Sequence, residues 1–457
     1  MPAITIKSYI LFSAVCLAVA AGVSCKKDMN NWNPDIVQEG LTVTISYADT
    51  SYNSSLPKNN FPVIITSERS SVSDTLYTDV NGLVHFTPVE RGKYIVTTYR
   101  KFSDEEMLAY TGIAKISAFN GSASSVAVGE GGASVELSLI AGDFGSLVFK
   151  QLYYAGSGSQ GALQRDQFVE IYNNSADTIY ADSLYFGTVQ GINSTYDDLN
   201  PATTTYITSD TRQYNWSKSL VPAGMPAHPS DANTSYLYAG NLFRIPGNGT
   251  TYPIAPGNSI IIAASALNHK APYTAANGSG VTVVNPDLTV DLSGADFEVY
   301  LRGVITTPSP TDVDNPAPNL VMIKVTGTEL TLSLQRNGFF IFKTTEDVAA
   351  WPSYPSPNVS NVTASTALFK RVPKKYIIDA VETQYTTNTT ITSSDLVPAK
   401  LSSELDAGYG YCIGSNNSQV LMRKTDSTTV DGRRILVDTN NSSNDFERRT
   451  RAVPRGF

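Results

Sequence analysis

Histidine is nearly missing from this chain. Three copies, His85, His228 and His269, stand far apart among 457 residues. Zinc centres, haem ligation and most nucleophilic triads lean on imidazole, so those chemistries lose their usual ligand or base. Charge is scarce as well. Only 16% of residues are Asp, Glu, Lys or Arg, and the formal net charge is -8. Binding a phosphate backbone needs clustered Lys and Arg, so nucleic acid is not expected as a partner. There are three cysteines, too few for a disulfide framework. No G-x-S-x-G elbow and no H-E-x-x-H occur, which removes the usual sequence signals of serine hydrolases and zinc proteases. No exact internal repeat and no long amphipathic helix are visible.

What is present is β-like. The chain has 25 Tyr, 32 Gly and 24 Pro, with Thr and Ser throughout. That composition suits pleated sheets with wet outer faces joined by many turns. The length allows two or three domains with cores of their own.

Residues 1–24 read as a signal peptide. Lys7 and the start amine precede an apolar run from Ile10 to Val23, short of the ~20 residues of a comfortable membrane span. The run ends in Gly22-Val23-Ser24-Cys25, followed by Lys26-Lys27-Asp28. These residues resemble a lipobox, with Gly22 where Leu is usual. The resemblance implies cleavage before Cys25 and a diacylglycerol on its thiol. Loss of Cys16 with the signal and lipidation of Cys25 leave Cys412 alone, as a buried core residue. The acyl chains would form a stable membrane anchor, and residues 25–39 a flexible tether. Lys26-Lys27-Asp28 loosely resembles surface-export signals.

Residues 40–141 read as a first domain. Leu41 to Ile45 alternates apolar and polar, as a half-buried strand does. Phe61 to Thr66 and Tyr94 to Thr97 are further strands, and Asn81-Gly82 predicts a hairpin turn. The stretch TDVNGLVHFTPVERGKYIVTTYR, from Thr78, resembles prealbumin-like or carboxypeptidase-regulatory-like modules. That implies a seven-stranded β-sandwich acting as spacer or interaction module. Asp79-x-Asn81-Gly82 lacks the further oxygen ligands of a calcium loop, so a plain turn is expected there. Ser103 to Glu106 has the form of a capping box before a short helical turn.

Residues 142–457 read as a larger β domain. The stretch RDQFVEIYNNSADTIYADSLYFG, from Arg165, resembles the opening of a lamin-tail domain, an immunoglobulin-like sandwich. Pro256-Gly257 before an apolar strand, Asp379 near a strand end, Arg423, and the Asp438 to Asp445 stretch follow the same family order. Thr188 to Tyr252 and Asn268 to Leu334 look like insertions, so this is an elaborated relative. The fold class expected is therefore mainly β: a prealbumin-like β-sandwich followed by a larger elaborated immunoglobulin-like one. The whole chain resembles an uncharacterised surface lipoprotein family of Bacteroides-type bacteria.

Several constellations invite chemistry. Gly156 to Gly161 matches G-x-G-x-x-G, but the strand from Phe168 follows where a dinucleotide site needs a helix; a hairpin loop is expected. Asp296 and Glu298 lie on one face of a strand, as glycosidase carboxylates can, though a solvated sheet face is the stronger expectation. Glu170 is expected to make a structural hydrogen bond. Asp438, Asn440 and Asp445 have the oxygen types that hold Ca²⁺, the one candidate cofactor; metal-free turns share this composition. Arg433, Arg434, Arg448, Arg449, Arg451 and Arg455 are expected in a solvated tail.

Tyr206, Tyr214, Trp216, Tyr236 and Tyr238, with Tyr252, lie in a Ser/Thr/Asn-rich stretch. Such aromatics either stack on a ligand or form the small core of a long loop. Thr75, Thr178, Ser183 and Ser427 follow Asp in a short motif that carries O-linked glycans in Bacteroides-type exported proteins. Together these readings predict a non-enzymatic outer-membrane lipoprotein at the cell surface, presenting a binding surface. Its expected partners are the membrane, through the lipid, and an outer-membrane transporter or a surface glycan or protein. The alternatives are a structural adhesin or fimbria-like component and a carboxylate-based glycan hydrolase.

Overall fold

The computed structural model describes residues 36–457, apart from 70–71, 113–116, 143–145 and 333–334. The signal peptide, Cys25 and most of the tether lie outside the described residues. The described chain is mainly β-structure, as expected, and its main sheets form two sandwiches.

The first is built from β1 (Leu41–Tyr47), β2 (Pro62–Ser67), β3 (Ser73–Tyr77), β4 (Leu83–Phe86), β5 (Gly92–Phe102), β6 (Ser117–Val128) and β7 (Ala133–Gly142). The strand order is β3-β2-β5-β6-β7-β1-β4. The strands exist because the sequence alternates: Leu41, Val43, Ile45 and Tyr47 of β1 are buried, and the Thr and Ser between them are half-exposed. Val43, Val63, Val96, Phe119 and Leu137 meet in one core. An eight-residue helix, α1 (Asp104–Thr111), follows β5. Its capping box is complete: Ser103 Oγ accepts from Glu106 N at 3.2 Å, and Glu106 Oε2 accepts from Ser103 N at 2.9 Å.

Asn81-Gly82 corrects one expectation. β3 and β4 do not pair; they are the opposite edges of the path, β3 beside β2 and β4 beside β1. The turn is an arch between sheets rather than a hairpin. Asp79 Oδ1 accepts from Asn81 N (2.9 Å) and Leu83 N (2.8 Å), and Gly82 takes φ 78°. The turn chemistry was legible, but its strand partners are set by packing.

The second sandwich uses β8 (Leu147–Tyr153), β9 (Phe168–Asn173), β10 (Tyr185–Val189), β11 (Tyr236–Arg244), β12 (Ser259–Ala263), β13 (Phe297–Glu298), β14 (Val321–Lys324), β15 (Asn337–Phe342), β16 (Ser353–Tyr354), β17 (Phe369–Pro373), β18 (Ile377–Thr386), β19 (Gly410–Ile413) and β20 (Val420–Arg423), then a hairpin of β21 (Thr425–Thr428) and β22 (Arg434–Leu436), and β23 (Phe446–Arg449). One sheet runs β13-β12-β9-β8-β20-β23, and the facing sheet runs β16-β17-β11-β10-β15-β18-β19 with β14 also on β11. Phe149, Ile171 and Ile262 of the first sheet pack on Phe186, Phe243, Phe339 and Val381 of the second. β8, β9 and β15 are buried along their whole length, so they show no polar alternation.

The segments read as insertions carry core strands. β11, inside the first, is hydrogen-bonded on both edges, to β10 on one side and to β17 and β14 on the other. β13 and β14 come from the second. The Ser/Thr/Asn-rich surroundings hid a strand whose own residues, Tyr236 to Arg244, are largely buried.

Candidate functional site

The acids proposed for calcium surround an arginine instead. Arg423, buried at the end of β20, donates from Nη2 to Asp379 Oδ2 (2.7 Å) and from Nη1 to Asp438 Oδ1 (3.2 Å) and Asp445 Oδ2 (3.3 Å). Its Nε donates to Phe149 O (2.7 Å) and Nη1 to Val437 O (3.0 Å). The guanidinium stands where the metal would sit. Asn440 turns away and bonds Glu404 O at 3.4 Å. Burial works against the charged forms of Arg423, Asp379 and Asp445. The three carboxylates outweigh it for Arg423, which is held above its usual range, while burial wins at Asp445, pushed up to about 7.

The histidines also stay apart. Each bonds a local oxygen: His85 Nδ1 lies 3.0 Å from Thr42 Oγ1, His228 Nε2 3.0 Å from Ser219 O, and His269 Nε2 2.9 Å from Ser265 O. Among the described residues, no group of three or more His, Cys, Asp or Glu has metal-holding geometry.

Glu170 is structural, as expected. It is fully buried and takes Lys150 Nζ at 2.9 Å, Gln151 Nε2 and Ser259 Oγ at 2.5 Å, and Arg455 N at 3.1 Å. The basic C-terminal stretch is therefore not simply solvated. Lys150 Nζ also donates to Arg455 O (3.1 Å) and lies 3.7 Å from the centre of the Phe457 ring. Asp296 accepts from Arg455 Nη2 (2.6 Å) and Ile261 N (2.7 Å). Its neighbour Glu298 does not share a solvated face with it. Glu298 is buried, accepts from Ala266 N (3.0 Å) and Asn315 Nδ2, and is pushed up to about 7 by burial.

The aromatic insertion forms a small core. Trp216 stacks on Tyr238 with centroids 3.7 Å apart and planes 8° from parallel, and Tyr214 meets Trp216 edge-on at 5.7 Å. Tyr354 and Phe369 complete the cluster. Trp216 and Tyr238 are buried; Tyr206, Tyr214 and Tyr236 are half-buried, with Arg371 lying 4.6 Å from the Tyr236 ring centre. Tyr252 packs edge-on against Phe297 at 4.9 Å. As placed, the Trp216 and Tyr238 faces are spent on each other.

Among the candidate O-glycan positions, Thr75 lies on the exposed edge strand β3, and Thr178 and Ser427 are exposed. Ser183 is half-buried in a turn. There Asp182 accepts from the backbone N–H of Gly249, Thr251 and Tyr252 at 2.8–3.0 Å. The local pattern at Asp182 is thus explained by a loop clamp.

A cleft of about 930 Å³ opens between the two sandwiches. One wall is the outer face of β2 and β5, with Ile64, Thr66, Ile95 and Thr97. The other carries Tyr196, Tyr409, Tyr411, Asn441, Asn444 and Arg448. Ser122 Oγ donates to Ser403 O (2.7 Å), and Lys101 pairs with Asp426 (3.3 Å), so the two sandwiches touch beside it. Gly408-Tyr409-Gly410-Tyr411 has the two-residue period of a strand. A Cβ on Gly408 would stand 2.0 Å from Asn441 Oδ1, and one on Gly410 2.4 Å from Leu421 Cδ1. The glycines therefore meet crowded neighbours, while both tyrosines line the cleft. Asp406 also lines it, but its carboxylate accepts from Glu382 N (2.7 Å), Ser442 N (2.8 Å), Ser442 Oγ (2.5 Å) and Gly408 N (3.0 Å). Sequence reasoning missed this site. The Gly-Tyr alternation was its one local signal, because the walls come from distant parts of the chain, such as Ile64 and Arg448.

The architecture defines a two-sandwich β protein with an inter-sandwich cleft. Residues 255–453 match the family described as "Protein of unknown function (DUF4876)". A crystal structure of a DUF4876 family protein from Bacteroides thetaiotaomicron is 24% identical, with 89% of this chain and 94% of that one covered and a TM-score of 0.46. A candidate cell adhesion protein from Bacteroides eggerthii is 12% identical over 50% of this chain and 80% of that one, with a TM-score of 0.15. No curated protein matches the chain.

Proposed function

We propose that this is a non-enzymatic, lipid-anchored protein of the bacterial cell envelope that binds a glycan in the cleft between its sandwiches. The observation carrying this reading is the cleft lining: three tyrosines among hydroxyl and amide side chains. Aromatic faces stack on the C–H faces of sugar rings, and Ser, Thr and Asn exchange hydrogen bonds with sugar hydroxyls. Asp406 does not favour hydrolysis, since its oxygens are committed to Glu382 N, Ser442 N and Oγ, and Gly408 N.

Titration calorimetry of the mature chain against a panel of oligosaccharides tests the reading. Binding by the native chain, weakened at least tenfold by Tyr411→Ala with an unchanged melting temperature, is the expected result. No heat from any member of the panel would refute the cleft as a glycan site. Mass spectrometry of the N-terminus tests the anchor, which an unmodified Cys25 would rule out.

A further inference from the structure

The cleft has one cation whose carboxylate partner is missing. Arg448 lies on β23, exposed, with its guanidinium carbon 4.8 Å from the centre of the Tyr411 ring on β19. No carboxylate pairs with it among the described residues, although the neighbouring Arg449 is held by Glu447 at 2.5 Å. Asp406, the acid on the same wall, is saturated by its four bonds. Glu68, the other acid of the lining, belongs to the opposite wall, in the turn after β2.

We propose that the cleft selects an acidic glycan, one whose sugar carries a carboxylate, and that Arg448 recognises that group. This rests on the reading of the cleft as a glycan site. Stacking on Tyr411 occupies one guanidinium face and leaves the N–H edge for a partner. That edge matches the two oxygens of a carboxylate, in a paired, charge-assisted bond. The chain as a whole carries a net charge of -8. Arg448 is the one Lys or Arg among the residues lining the cleft, so an anionic group of the ligand would be captured there. Tyr409 and Tyr196 remain for the ring faces, and the hydroxyl and amide side chains for neutral positions of the same oligosaccharide.

The test uses oligosaccharides of galacturonate, glucuronate and N-acetylneuraminate, each beside its methyl ester. The ester keeps the sugar and removes the charge. For at least one pair, calorimetry at about 50 mM salt should give the acid at least tenfold tighter binding than the ester. The advantage should shrink at about 500 mM salt, as screening requires. Arg448→Gln should abolish the advantage, so that acid and ester bind the variant equally, while Tyr411→Ala weakens both forms. Equal affinity for acid and ester, or an advantage that survives Arg448→Gln, overturns this inference and leaves the cleft as a neutral-glycan site. Absence of binding by every acid, ester and neutral oligosaccharide overturns the cleft reading itself.

Discussion

Replacing Arg423 by Met should destabilise the second sandwich in a pH-dependent way. The substitution keeps most of the side-chain volume and removes the charge. Three carboxylates, Asp379, Asp438 and Asp445, lose their common cation, and the carbonyls of Phe149 and Val437 lose a donor. Breaking a buried ion pair costs about 3–5 kcal/mol, because the remaining charge is left uncompensated. At about 1.5 °C per kcal/mol for a domain of this size, the melting temperature should fall by roughly 4–8 °C at pH 8. Lower pH should soften the loss. Burial already raises Asp379 and Asp445, and without the guanidinium they rise further, so the variant takes up protons that the native protein does not. A group whose folded pKa is raised contributes stability that is present below its unfolded pKa and lost as pH rises through the folded one. The gap between native and variant should therefore be widest at pH 8 and narrowest near pH 5. Calorimetric or urea melts at both values measure it. A deficit below about 1 kcal/mol at pH 8, or one of equal size at both pH values, would refute the assignment of Arg423 as the neutralising centre.

Glu298→Gln isolates a single titration. Burial raises this acid from 4.5 to about 7, so its stabilising proton is fully held below pH ~4.5 and lost as pH rises through ~7, a change on the order of 3 kcal/mol. The variant should lose less stability than the native protein between pH 5 and 8, and identical slopes in urea melts would contradict this. Trp216→Ala removes a buried ring stacked at 3.7 Å and should cost about 3–5 kcal/mol. Glycan affinity in the cleft should not change, and an affinity loss at unchanged stability would instead make the aromatic cluster the binding site. Glu170→Ala leaves Lys150 as a buried unpaired cation and should cost about 3–5 kcal/mol in the same melts; a neutral outcome would mean that water reaches the amine.

Local pattern made much of the β-structure legible. β1, β2 and β5 announce themselves because one face is buried and the other wet, so Leu41, Val43 and Ile45 alternate with Thr. The order Asp379, Arg423, Asp438, Asp445 could be read from the chain, but its chemistry could not: the same oxygens suit a calcium ion or a guanidinium, and only folding brings Arg423 among them. β11 was hidden for the opposite reason. It is a central strand buried on both faces, so it lacks alternation, and its polar flanks resemble loop. The Asn81-Gly82 turn has the backbone that its residues require, yet its strands pair with β2 and β1 because the core is filled by joining two sheets. The cleft was beyond reach for a further reason. Thr66 and Arg448 face one space only because two sandwiches, each with its own core, meet.

The placement of Arg423 also bears on how those sandwiches meet. Tyr99, on β5 of the first sandwich, is held above its usual range by burial, with the negative charges of Asp438, Asp426 and Asp445 adding to the effect. The ion-pair centre of the second sandwich therefore stands behind the contact with the first, close to Lys101 and its partner Asp426. Two of those three acids, Asp438 and Asp445, are compensated by Arg423; without it their charges would stand uncompensated behind the contact. Loss of that compensation should weaken the contact as well as the core behind it. Arg423→Met should accordingly increase proteolysis that separates the two sandwiches, before the second sandwich itself melts. If the variant is separated no faster than the native chain at temperatures below the melt, the contact draws its stability from Ser122, Lys101 and the apolar faces alone.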